Sequence, residues 1–489
     1  MKKNKNNSLK KIAKNKVSDF RYKKIGRKYL LTNLYGAYIF LTEKEFNIFL
    51  EGALSEKDTI YWELQRLGFI KDNIDFENII EKCRVKNKSL NQGPSLHIMV
   101  VTLRCNHNCV YCHASAQNAN KSEYDMSKNT AKKSIDLIFD GPSKNIAIEF
   151  QGGEPMLNWE IIQYTVEYSK KKAKKNDINL ELRLISNLSL MTDEKLKYCY
   201  DNEIGISTSL DGPEFLHNKN RTLTRGNSHK KTVEWFKKAT KLYKVSRDEV
   251  ENFLPGAILT VSKESLKYPK EIVDEYISHG INTIFIRHLN PYGFAENAKE
   301  KIYYTADDYI KFYLKALDYI IELNKKGIEM KEMMASFMLM KILLNEDPNY
   351  LELRSPCGAG IGQIAYNYNG DVYTCDEGRL LSEMGDDSFK IGNVFENKYE
   401  DLVDNDVVKS VCSASCLDAI PHCSDCVFNP YCGVCPIYNY SVQGNLFGQM
   451  PSNDRCKINM AIFEHLFKRM EDEEVKAIFY NWVISDYSV

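Results

Sequence analysis

The sequence predicts an α/β protein: a partial, TIM-like (βα)6 barrel with a small winged-helix-like module before it and a Cys-rich domain after it. Three observations predict this. Between about residues 96 and 290, strand-like and amphipathic helical runs alternate, which implies a parallel sheet with helices outside. A polar or Gly-rich segment follows strand after strand, and in a barrel such segments gather at the C-terminal mouth, where active sites are built. Twelve of the fourteen Cys fall in two dense groups, 105–112 and 357–456.

The chain of 489 residues has room for about three domains at roughly 150 residues each. With 43% hydrophobic and 11% aromatic residues it can fill large cores. Lys+Arg and Asp+Glu both number 66, so no global charge argues for nucleic acid or an acidic membrane surface as partner. Met1 to Val17 lacks an apolar signal-peptide core, and no later run approaches the ~18 apolar residues of a membrane span. A cytoplasmic protein is expected. Disulfides are rare in that compartment, so this many Cys point to metal or cluster ligation. Cys83 and Cys199, which lie apart in helical patterns, read as plain core thiols.

In chain order, residues 1–19 read as a disordered basic tail. Residues 20–90 form the winged-helix-like module. Tyr29–Asn33 and Ala37–Leu41 are two strands joined at Gly36. Thr42 and Glu45 make a capping box that opens a helix, a second helix stops at Gly68, and Phe69-Ile70 is a closing strand. The helices lack a basic face with interleaved aromatics, so peptide binding or packing ranks above nucleic acid.

Asn91-Gln92-Gly93-Pro94 is a linker into the barrel, residues 91–340. Its strands are Leu96–Leu103, Ile146–Gln151, Leu180–Ser186, Ile204–Leu210, Ala257–Val261 and Thr283–Leu289, with helices at 128–139, 159–174, 229–243 and 269–279. Residues 341–456 hold the second Cys group, with a hairpin at Asn369-Gly370-Asp371, and 457–489 are C-terminal helices.

Directly after the first strand stand Cys105, Cys109 and Cys112. Three thiolates in a C-x3-C-x2-C loop can hold three irons of a [4Fe–4S] cube, and the fourth iron is then open, since a closed cube takes four Cys. A zinc site completed by His107 or His113, or thiols without a partner, fit the same spacing. An open iron can chelate an amine and a carboxylate, which the methionine end of S-adenosylmethionine offers. In Gly152-Gly153-Glu154-Pro155 the glycines allow close backbone approach to such an amine, while Glu154 either adds charge or holds the turn.

The C-x3-C-x2-C loop, with Tyr111 as its aromatic, followed by GGEP, resembles the radical S-adenosylmethionine (SAM) superfamily over about residues 96–290. The resemblance implies that Cys105, Cys109 and Cys112 ligate a catalytic cluster and that Gly152, Gly153 and Glu154 meet the methionine amine. It places Ser186 and Asn187 near the ribose and Ser209 near the cofactor. Arg221 either reaches the carboxylate or makes a structural salt bridge near Asp211.

The second Cys group resembles the SPASM domain of peptide-modifying members. The resemblance implies an outer auxiliary [4Fe–4S] cluster on Cys423, Cys426, Cys432 and Cys456. An inner one would sit on Cys357, Cys375 and Cys435, with Cys412 or Cys416 as possible fourth ligand. One residue is missing between Cys432 and Cys435 relative to that pattern, which leaves closure of the inner cluster open. A zinc ribbon is the competing reading, although the five residues between Cys426 and Cys432 are a short spacer for two C-x2-C pairs.

Leu30-Leu31-Thr32-Asn33, Gly93-Pro94-Ser95-Leu96-His97, Thr102 to His107 and Pro430 to Pro436 together resemble the His-Xaa-Ser system radical SAM maturases. That implies a ribosomally made precursor peptide as substrate, a reductant such as flavodoxin or ferredoxin, and a second radical SAM enzyme as partner, with neither nucleic acid nor membrane. Residues 20–90 would then capture a leader peptide by strand addition. The alternatives are formylglycine formation of the anaerobic sulfatase-maturase type and, in another class, a non-catalytic electron-transfer or peptide-binding protein. Asp211 and His288 also lie at the mouth; for His288 a satisfied structural role is the favoured expectation.

Overall fold

The computed structural model describes residues 16–72, 74–246, 255–293 and 302–484, so the basic tail lies outside the described residues apart from 16–19. The chain first forms an antiparallel sheet of β1 (Arg21–Ile25), β2 (Lys28–Thr32) and β3 (Tyr38–Thr42). The turn between β2 and β3 passes through Gly36 at φ +82°, a left-handed value that favours glycine. Thr42 caps α1 (Glu43–Leu50) with the expected reciprocal box: Oγ1 accepts the Glu45 N–H and the Glu45 carboxylate accepts the Thr42 N–H. Such a cap is worth about 1 kcal/mol. Helices α2 (Thr59–Arg66) and α3 (Phe76–Lys86) follow.

Three expectations for this unit change. β1 is an additional strand at one edge of the sheet, where Arg21 and Lys23 form ion pairs with Asp418 and Glu464. The closing strand at Phe69-Ile70 reduces to a single bridge between Val17 and Ile70. Cys83 is only half-buried, on a helix with no buried residue, and so is not a core thiol; Cys199 is fully buried. The charged neighbours of Cys83 in Phe76–Lys86 explain the difference, because the helix lies on the surface.

Among the described residues the main sheet has ten strands. Six are the expected parallel ones: β4 (Leu96–Thr102), β8 (Asn145–Gly152), β9 (Asn179–Ile185), β10 (Ile204–Ser209), β12 (Gly256–Thr260) and β13 (Thr283–Arg287), adjacent in that order. Short strands β5 (Arg104–Cys105), β6 (His107–Cys109), β7 (Gln117–Asn118) and β11 (Arg221–Leu223) belong to small pairs at the mouth. Helices α4 (Lys128–Asp140), α5 (Trp159–Asn176), α6 (Asp193–Asp201), α7 (Glu214–Asn220), α8 (Ser228–Ser246) and α9 (Pro269–Ser278) alternate with the strands.

The alternation of side chains fixes which face is which. In β8, Ile146, Ile148 and Phe150 are buried among the helices, each worth about 1.5–3 kcal/mol. Glu149 and Gln151 alternate with them on the inner face, as do Arg183 in β9, Ser207 and Ser209 in β10, and Arg287 in β13. The inner face of the parallel sheet is therefore polar and half-buried.

The sheet continues past both ends of these six strands. β14 (Lys331–Glu332) extends it beside β13. On the other side β15 (Gln363–Tyr366), all four residues buried, runs parallel to β4, and β16 (Asp371–Tyr373) and β17 (Lys390–Asn393) follow antiparallel. The first strand of the Cys-rich segment is thus hydrogen-bonded directly to the strand that leads into the first Cys loop. No helix among the described residues is long and apolar enough to cross a membrane.

Candidate active site

The Cys loop leaves the C-terminal end of β4 and is anchored before its first thiol. Arg104 makes a two-pronged ion pair with Asp125, at 2.8 Å from Nε and 2.6 Å from Nη2, and donates to the Ala119 and Leu157 carbonyls. Thr102 Oγ1 donates to the same Asp125 at 2.6 Å. The loop then touches the 152–154 turn backbone to backbone: the Glu154 N–H donates to the Arg104 carbonyl at 2.7 Å. A Cβ at Gly153 would lie 2.3 Å from that carbonyl oxygen, and one at Gly152 1.9 Å from the Thr102 oxygen, so only glycine fits either position. On the other flank, a Cβ at Gly293 would lie 2.3 Å from the His113 carbonyl.

Glu154 is fully buried. One carboxylate oxygen accepts from the Ser186 hydroxyl at 2.8 Å and the Met156 N–H at 3.1 Å, and the other from the Asn187 N–H at 2.9 Å. Burial raises its pKa, and these hydrogen bonds work against the rise. Its side chain therefore joins the ends of two strands. Asn187 reaches back to the loop, its Nδ2 donating to Asn106 Oδ1 at 3.0 Å, while Asn106 Nδ2 donates to Ser189 Oγ at 2.7 Å. Ser209 ends β10, half-buried, on the inner face.

Tyr111 and Arg221 come together. β11 pairs antiparallel with β6, opposing Arg221 to Cys109. Arg221 Nη1 donates to Tyr111 Oη at 3.0 Å, and that hydroxyl donates to Asp211 Oδ2 at 2.5 Å. Burial opposes the Arg221 charge, but Cys109, Tyr111 and Asp211 outweigh it and hold its pKa well above the usual range. Arg221 thus has an acidic counter-group reached through Tyr111. The other oxygen of Asp211, Oδ1, is buried without a partner.

Residues that sequence reasoning missed here are Arg104, Asp125, Asn106 and Ser189. The Thr-x-Arg step before the first Cys was a visible signal for an anchor; the Asn106–Asn187–Ser189 contacts had none, because they join separate loops. His107 is also structural, its Nε2 bonded to Ser228 Oγ at 2.9 Å. His288 is half-buried and not satisfied: its enclosed Nε2 has no partner, and desolvation drives its pKa down to about 3.

All fourteen Cys are free thiols. In the C-terminal segment they fall into groups. Cys423, Cys426, Cys432 and Cys456, with Cys435, line a cavity of about 620 Å³ that reaches His288 and Glu352. Cys357, Cys375 and Cys435 pack in a buried cluster with Tyr292. Cys412 lies in the helix Asp406–Ala414 and Cys416 just past its end; between them Ser415 Oγ accepts the Cys357 N–H at 2.9 Å, and the Cys416 thiol donates to the Cys412 carbonyl. Burial and neighbouring thiols push Cys109 and Cys456 up to about 11. Thiols so grouped stay protonated unless a metal draws the protons off, which is the donor chemistry of an iron–sulfur site. Close glycine packing brings the backbone of the 152–154 turn against the loop that carries the first group.

Residues 99–258 match the Radical SAM superfamily. A cysteine-type anaerobic sulfatase-maturating enzyme of Clostridium perfringens is 26% identical over 63% of this chain and 79% of its own length. Among solved structures, anSMEcpe with bound AdoMet aligns at TM-score 0.64 and 20% identity, covering 79% of this chain and 99% of that one. Streptococcus suis SuiB bound to precursor peptide SuiA aligns at TM-score 0.52 and 16% identity, over 88% and 98%. At those identities the structural likeness shows the fold. Fold, mouth and matched segment define an enzyme built around an iron–sulfur cluster and a nucleoside cofactor. The segment 99–258 is similar to the radical SAM superfamily, with a [4Fe–4S] cluster and S-adenosylmethionine as cofactors, and the Cys-rich C-terminal segment fits auxiliary clusters.

Proposed function

We propose that this enzyme is a radical SAM maturase acting on a side chain of a ribosomally made peptide, of the His-Xaa-Ser type, and oxidising or cross-linking it. Cys105, Cys109 and Cys112 hold the catalytic cluster. When bound, the cluster and S-adenosylmethionine supply a 5′-deoxyadenosyl radical that takes a hydrogen from substrate. The observation that carries the reading is the backbone contact of Gly152-Gly153-Glu154 with the Cys loop, so close that neither glycine position admits a side chain, which ties this turn directly to the three-thiol loop.

The chain's own residues have separable tasks. Glu154 and Ser186 fix the turn so that backbone faces the cofactor's amine. Asn187 and Asn106 link the turn to the loop. Arg221, oriented by Tyr111, presents a cation toward a carboxylate. Cys423, Cys426, Cys432 and Cys456 hold an outer auxiliary cluster, and Cys357, Cys375 and Cys435, with Cys412 or Cys416, an inner one, in the manner of a SPASM domain.

The 20–90 unit, read as a winged-helix-like module, offers β3 as an edge for strand addition. It is also tied to the outer thiol segment, Thr32 Oγ1 donating to the Val427 carbonyl at 2.7 Å and Tyr431 Oη to the Gly36 carbonyl at 3.0 Å. Unchanged peptide affinity and turnover after removal of residues 1–85 would contradict this role.

Anaerobic turnover with the small peptides encoded nearby tests the proposal. A mass loss in the peptide matched to deoxyadenosine release supports it. Formylglycine in a sulfatase-derived peptide instead would favour the maturase alternative, for which the similarity to the Clostridium perfringens enzyme speaks.

A further inference from the structure

Beside the barrel mouth, at the junction of α8 and α9, His229, Glu275 and His279 converge. Their candidate ligand atoms all lie within 4.8 Å of one another. Glu275 and His279 are four apart in sequence at the end of α9, which puts them on one face, and His229 is the second residue of α8. Both imidazole Nε2 atoms stand 2.7 Å from the same Glu275 oxygen, Oε1. The side chains are only 10%, 17% and 14% exposed, so the group is sheltered while an ion can still enter.

We propose that these three residues form a divalent-metal site of the zinc class. Two imidazole nitrogens and one carboxylate oxygen are a donor set zinc favours, with water at the fourth position. Tetrahedral bonds of about 2.0–2.1 Å put ligand atoms about 3.3 Å apart, so each 2.7 Å contact has to open by about 0.6 Å, within reach of small side-chain rotations. As a hydrogen-bonded cluster, both rings must hold their proton on Nε2 to share one oxygen. The His229 Nδ1 is buried without a partner, so no hydrogen bond from it enforces that tautomer. Glu275 is held ionised, its pKa lowered by its bonds to His229 and His279, and is ready to face a cation.

The site has a structural consequence. Ser228, directly before His229, bonds both His107 Nε2 in the Cys loop and His217 Nε2 at 2.9 Å. The His217 ring in turn meets that of His229 edge-on at 5.6 Å. An ion that pins His229 to α9 thereby steadies the support of the Cys loop.

The test uses iron-loaded enzyme, so that cluster thiols are occupied, equilibrated with zinc sulfate, desalted and analysed for both metals. About one zinc per chain above background is expected, with a rise in thermal unfolding temperature. Glu275→Gln and His279→Gln should lose both effects while keeping the wild-type iron content and deoxyadenosine formation. Wild-type enzyme that retains no zinc, or variants that retain as much as wild type, would overturn the proposal. His279, at the helix end and partly exposed, keeps the test open if Glu275→Gln fails to fold.

Discussion

Arg221 and Asp211 are joined by one hydroxyl: Tyr111 accepts from the guanidinium at 3.0 Å and donates to the carboxylate at 2.5 Å. Tyr111 belongs to the Cys loop, so the loop itself completes a buried charge network. Tyr111→Phe should cost about 1–3 kcal/mol, since Asp211 loses a buried donor, and Arg221→Met about 3–5 kcal/mol, since it strands the carboxylate. Chemical unfolding checks both. If Arg221 also faces the cofactor's carboxylate, Arg221→Met will weaken S-adenosylmethionine binding more than Tyr111→Phe does.

Glu154→Ala strands three buried donors, the Ser186 hydroxyl and the Met156 and Asn187 N–H groups. A destabilisation of about 3 kcal/mol or more is expected from ~1–3 kcal/mol per buried unpaired group, together with weaker cofactor binding by equilibrium dialysis. Wild-type stability in this variant would show that Glu154 does not hold the turn.

The thiol groups should empty independently. At roughly four irons per cube, Cys112→Ala should lose about a third of the iron of a three-cluster enzyme and all deoxyadenosine formation. Cys426→Ala should lose iron from the outer group and still cleave the cofactor. Equal effects in both variants would contradict separate sites.

Acid should destabilise the fold through His97, which is buried on β4 with its pKa lowered by burial to about 4 from 6.5. The unfolded chain takes up the proton below about pH 6.5 and the folded chain does not. His97 therefore favours folding above that pH, and the advantage is lost progressively toward pH 4, by about 3 kcal/mol at ~1.4 kcal/mol per unit. Urea melts from pH 7 to 4 should show a shallower decline in His97→Leu.

The parallel sheet was legible because its strands alternate β-branched residues with small or polar ones and its helices are amphipathic; the runs at 146–151 and 204–210 lie within a residue of the observed strands. β1 was not legible because Arg21-Tyr22-Lys23-Lys24-Ile25 has the composition of a solvated segment, and its pairing comes from Leu30 and Leu31 on the neighbouring strand. The Cys loop and GGEP stood out through residue type and spacing. The partners that orient them did not: Asp211 meets Tyr111, and Asn106 meets Ser189, only after the strands align. Parallel pairing of β15 with β4 likewise joins distant segments whose local pattern says nothing of each other.

The central claim is that the three-thiol loop initiates radical chemistry. Its most direct test is chromatographic quantitation of 5′-deoxyadenosine and methionine from S-adenosylmethionine, with iron-reconstituted enzyme under dithionite. Equal amounts of both products are expected from wild type and from Cys426→Ala, and none from Cys105→Ala, Cys109→Ala or Cys112→Ala. Intact S-adenosylmethionine with fully iron-loaded wild-type enzyme, or undiminished cleavage in those three variants, would contradict it.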